Sequence, residues 1–199
     1  MKNVLFYSRI VIPSLVMGLL STSCDNDSDY SFPSDIAGLY KGTAEIRYIE
    51  NLEEETPAPD NSIQARVDAR TISLEDFPIG DLVELIMGEE QAGAIIEAIG
   101  PVDYSIGYEA VPADDLLSLA LHPQPLTITL PAAMTDEEPT GPQVVITIEA
   151  PESGTYDPAT KRLVFDLGIS SVELDGTPLD ILPPSLTIGF SLLKTDSGN

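Results

Sequence analysis

"IAGLYKGTAEIRY", residues 36–48, decides the fold class. From Tyr40 onward the side chains alternate: Tyr40, Ala44, Ile46 and Tyr48 share one face, and Lys41, Thr43, Glu45 and Arg47 the other. Successive strand side chains point to opposite sides, so the pattern is a strand with one face on a core and one in water. A polar, Pro-containing loop follows, "NLEEETPAPDNS", residues 51–62. Ile63, Ala65, Val67 and Ala69 then resume the alternation, and the apolar phase slips to Ile72 and Leu74. A slip of one residue turns every later side chain to the wrong face, so a bulge or turn near Arg70 is predicted.

Residues 79–99 change period. Leu82, Leu85, Ile86, Ala92, Ile95, Ile96 and Ile99 recur at helical spacing. Asp81 and Glu84 have the spacing of a capping box, and Gly100-Pro101 ends the segment. Gly88 and Gly93 interrupt its middle, which predicts two short helices joined near Gly88. Ile95 and Ile96 are expected to be buried against a sheet. Alternation returns at 102–108, 126–130, 144–148, 163–169 and 186–192, with another slip before Val172 and Leu174. "YDPATKR", residues 156–162, and "LDGTPL", residues 174–179, read as turns. Seven or eight antiparallel strands and one helical insertion predict a mainly β fold, either a sandwich or an incomplete barrel.

Gly38-Leu39-Tyr40-Lys41-Gly42 resembles the first strand of lipocalin-like exported lipoproteins. The wider pattern over residues 36–194 resembles small domains of unknown function in lipoproteins of the Bacteroides group. That resemblance implies a fold and an address but no activity. Gly38-x-Tyr40 recurs as Gly154-x-Tyr156, a short signal of a duplicated unit.

The N-terminus reads as an address. Lys2 and Arg9 give a short positive region, and Ile10 to Leu20 an apolar run too short for the roughly 20 residues of a membrane span. Ser21, Thr22 and Ser23 then lead to Cys24, the sole cysteine of the chain. The order resembles the lipobox of bacterial lipoproteins, with Ser21 where that family prefers Leu. The resemblance implies removal of residues 1–23, lipidation of Cys24 and anchoring through several acyl chains, which together hold where one chain would not. Asp25, Asp27 and Asp29 alternate as at the start of a calcium loop, but Tyr30 and Ile36 stand where an EF-hand loop needs Gly and Glu. An acidic, solvated tether over residues 24–35 accounts for them. They also resemble the surface-export signals of Bacteroides-group lipoproteins, which implies an outer-membrane protein at the cell surface. Residues 36–199 are then a single β-rich domain.

Charge narrows the partners. The 199 residues hold 33 acidic and 9 basic side chains, a net charge of −24. Loss of Lys2 and Arg9 with the signal leaves 7 basic against 33 acidic residues, a balance of −26. Nucleic-acid binding rests on neutralising phosphates, so this chain is not expected to do it.

Catalytic signals are few. His122, the only histidine, lies in "LHPQP" and reads as a loop or strand-end residue without a special role. No G-x-S-x-G elbow, CxxC, H-E-x-x-H or Gly-rich phosphate loop occurs, and no cofactor or metal is expected. Glu53 to Glu55 and Asp136 to Glu138 could meet calcium, although such runs are usually solvated surface. Tyr104 and Tyr108 share one strand face with Ile106, as core residues or as the lining of a pocket. The reading is therefore a non-enzymatic, lipid-anchored binding or accessory module whose ligand is a small molecule, glycan or protein. The alternatives are a hydrolase working through paired carboxylates and a structural subunit of a surface assembly.

Overall fold

Alternating segments with one apolar face have to bury that face, and a closed sheet does so without leaving strand edges open. A computed structural model describes residues 36–48, 62–130 and 141–195. Cys24, Asp25, Asp27 and Asp29 lie outside the described residues, as do the acidic stretches 53–55 and 136–138.

The strands are β1 (Gly38–Arg47), β2 (Ser62–Val67), β3 (Thr71–Glu75), β4 (Tyr104–Ala113), β5 (Leu116–His122), β6 (Leu126–Thr129), β7 (Gln143–Glu149), β8 (Gly154–Asp157), β9 (Arg162–Leu174), β10 (Thr177–Leu179) and β11 (Thr187–Lys194). Helices α1 (Ile79–Met87) and α2 (Glu89–Ile99) stand between β3 and β4. Every pairing is antiparallel. The order β11-β1-β2-β3-β4-β5-β8-β9 closes on itself, because β9 pairs with β11 from Arg162↔Leu193 to Gly168↔Thr187. The fold is thus a closed eight-stranded antiparallel barrel. The mainly β reading holds, and of its two alternatives the barrel is the one found, closed through β9 and β11.

β9 is too long for the barrel wall. It leaves β8 after Val164 and β11 after Gly168, and pairs instead with β7 on one edge and β10 on the other. β6 pairs with β7, so β6, β7, the far half of β9 and β10 form a four-stranded extension of the sheet. Opposite the neighbours Thr147 and Ile148 stand Ser171 and Ile169, so Ser170 is an extra residue in β9. This bulge is the phase slip seen before Val172. The slip near Arg70 is a turn: the Asp68 side chain accepts hydrogen bonds from the backbone of Arg70 and Thr71, which closes the β2–β3 hairpin. β9 and β10 are joined by Asp175-Gly176, both at positive φ, the two-residue turn whose twist suits a hairpin.

An eight-stranded barrel either fills with side chains or holds one small ligand, and this one is packed with side chains. Phe165 and Phe190 stack at 4.7 Å, Phe77 lies 5.0 Å from Tyr104, and Tyr40 meets Tyr156 edge to face at 6.5 Å. The two Gly-x-Tyr tyrosines therefore touch across the core. Gly42 is required by close approach: a Cβ there would sit 2.0 Å from the Ser191 carbonyl oxygen on β11.

The helices begin without the anticipated capping box. Pro78 takes the N-cap position of α1, no side chain caps it, and Asp81 stands in the first turn, where a carboxylate suits the helix dipole. Gly88, at φ 80°, separates α1 from α2, and Gly100, at φ 67°, ends α2 by donating its N–H to the Ile96 carbonyl. Ile95 and Ile96 are half-buried, not core residues, because Ile95 faces a cavity between helix and sheet and Ile96 lies against Gly80 of α1.

Candidate functional site

The extension brings aliphatic side chains into rows. Register places Ile128, Val144 and Leu174 side by side on β6, β7 and β9. Ile146, Val172 and Leu179 form the next row across β7, β9 and β10. The helices present the opposite wall. Ile79, Leu82 and Val83 are spaced three and four apart along α1, and Ile95 and Ile99 four apart along α2, so each set shares a helix face. Between the two walls is a cavity of about 330 Å³, and every residue lining it is Ile, Leu or Val. Its size is at the lower end of small-molecule sites. Ile181, 42% exposed, is the most open residue of the lining and marks the mouth.

The chemistry of this wall is restricted. No carboxylate, hydroxyl, amide or imidazole belongs to the lining. Among the described residues no polar or charged side chain other than tyrosine is buried, and no three His, Cys, Asp or Glu side chains are grouped to hold a metal ion. A second depression of about 170 Å³, lined by Ala44, Ser62, Ile63, Asp76, Pro78, Gly80 and Asp81, is smaller and mixed in character.

Tyr104 and Tyr108 lie inside the barrel and do not belong to the cavity wall. The Tyr104 hydroxyl donates to the Gln124 carbonyl and that of Tyr108 to the Asp68 carbonyl. Burial pushes both phenols up to about 12; Gln124 draws Tyr104 part of the way back, and the Asp68 charge raises Tyr108 further. Tyr40, buried beside Tyr156 and donating to the Ile36 carbonyl, is raised further still. Such hydroxyls are anchors for packing, not acids or bases for chemistry near neutral pH. His122 is exposed at the end of β5. The cavity residues themselves were visible in the sequence only as strand and helix apolar positions, with nothing to distinguish lining from core.

The site and its scaffold define a class: a closed antiparallel barrel extended by a four-stranded sheet, with an aliphatic cavity under a helix pair. The chain belongs to the DUF4840 family, a domain of unknown function whose model matches residues 35–174. The match ends with β9, before β10 and the strand β11 that closes the barrel. No curated protein and no solved structure matches the chain.

Proposed function

We propose that the chain is a non-enzymatic binding module of the cell envelope, held to the outer membrane through lipid on Cys24, that takes a small apolar ligand into the cavity between the helices and the sheet extension. The observation that carries this reading is the wholly aliphatic lining. Apolar surface left unfilled in a cleft is costly, and its burial by an apolar ligand contributes roughly 25 cal/mol for each Å² removed from water. A carboxylate-dependent hydrolase draws no support from this wall, since two flanking carboxyl groups are needed and the lining has none. A structural subunit draws some from Leu39, Leu193 and Val164, which are exposed as diagonal neighbours on the adjacent strands β1, β11 and β9, but three side chains make a small patch of the kind most soluble surfaces carry.

The module sits at the cell surface, with residues 24–35 as an acidic leash bearing Asp25, Asp27 and Asp29. Two measurements test the reading. Cys24→Ser should abolish acyl labelling and membrane retention; a variant still retained after a high-salt wash refutes the anchor. A neutral, environment-sensitive dye such as N-phenyl-1-naphthylamine should bind saturably, and Ile181→Trp, which fills the mouth, should weaken it. Binding that ignores Ile181→Trp refutes the cavity.

A further inference from the structure

The cavity's surroundings are charged on one side only. Residues 71–160 contain no Lys or Arg, and neither do residues 163–193. These two stretches supply every wall of the cavity: α1, α2, β6, β7, the far half of β9, β10 and Ile181. Lys41, Arg47, Arg66, Arg70, Lys161, Arg162 and Lys194 all lie on β1, on β2 and its turn, at the β8–β9 turn or on β11. Arg47 is engaged with Asp166. The cavity elements carry acids instead. Asp180 is exposed between the lining residues Leu179 and Ile181, at the mouth itself. Glu84 and Glu97 are exposed on the two helices. Neither helix has a basic residue in its last turn, so the negative end of the dipole of α2, at Ile99, is unopposed beside the lining.

Resting on the reading of this cavity as the ligand site, we infer that it selects a single unbranched aliphatic chain with a cationic head group and rejects the same chain carrying a carboxylate or phosphate. The cavity, about 330 Å³, lies at the lower end of small-molecule sites, which suits one chain of medium length such as a decyl chain and not a lipid with several. The head then emerges at Ile181 beside Asp180. The described elements that line the cavity offer no Lys or Arg to hold an anion, and Asp180 gives an ammonium group a favourable potential.

The test is displacement of N-phenyl-1-naphthylamine from the full folded chain by decylamine, decan-1-ol and decanoate, with butylamine as a head-group control. A surface potential of about one kT at the mouth separates two ligands that differ by two unit charges by roughly seven-fold. Decylamine should therefore displace the dye at the lowest concentration, decanol next and decanoate last. Butylamine should not displace it, and the spread should narrow in high salt. Asp180→Lys, a change at an exposed position, should shrink or reverse the preference. Equal displacement by all three chains, or tightest binding of decanoate, overturns the head-group inference while the cavity reading stands. Displacement by butylamine as good as by decylamine also overturns it, since charge alone would then suffice. Failure of every chain to displace the dye overturns the cavity reading and the inference with it.

Discussion

Raising the pH above 10 should destabilise this barrel, because its buried phenols give up their protons more readily once the chain is unfolded. Tyr40, Tyr104 and Tyr108 are each buried and each donates to a backbone carbonyl. A buried phenol favours its neutral, protonated form, so its folded pKa lies above the ordinary value of 10.0, at about 12 for Tyr104 and Tyr108. The stability this gives is complete below pH 10 and is lost as pH climbs through the folded value, because the unfolded chain gives up its protons first. By pH 12 the loss is about 2 kcal/mol for Tyr104 and for Tyr108 and close to 3 for Tyr40, roughly 7 kcal/mol together. Halving this for relaxation and water penetration around the phenolates leaves roughly 3–4 kcal/mol. Against a typical stability of about 5–15 kcal/mol, that is a large share. Phenolate absorbance followed from neutral to strongly alkaline pH should show a lagging group of phenols that ionises well above pH 10, and the denaturant midpoint read by circular dichroism should fall over the same range. Smooth ionisation of all the phenols near pH 10 with the β signal intact would refute the argument, since it would mean that burial does not hold these protons.

Gly42→Ala should cost about 3 kcal/mol or more in denaturant unfolding, beyond the middle of the overpacking range, because its Cβ would collide with β11 backbone and not with a movable side chain. Asp68→Ala should cost about 1 kcal/mol by removing the acceptor of two turn N–H groups, and thermal unfolding would read it. Ile95→Ala should cost about 1 kcal/mol, below the 2–5 kcal/mol of a full core site, because the side chain is half-buried and already faces a cavity; a core-sized loss in chemical unfolding would mean that the helices pack tightly on the sheet. His122→Gln should leave stability within about 0.5 kcal/mol and dye binding unchanged.

Local pattern carried much of the fold into the sequence. Alternation from Tyr40 to Tyr48 marks β1, the change of period at residues 79–99 marks the helices, and Gly88 marks the break between them. The two phase slips mark a turn at Asp68 and a bulge at Ser170. Each is legible because backbone geometry imposes a period on neighbouring residues. Leu117, Leu119 and Leu121 of β5 obey the same rule and could have been assigned as a strand. β8 and β10, four and three residues long, could not: such short pieces are strands only because β9 lies beside them. Closure of the barrel through β9 and β11 is likewise invisible locally, since it depends on pairing between segments whose strand character alone does not choose a partner. The same holds for the cavity. Ile79, Ile128, Val172 and Ile181 are ordinary apolar residues in sequence, and only the overlong β9, which carries an extra sheet beyond the barrel and under the helix pair, turns them into a wall.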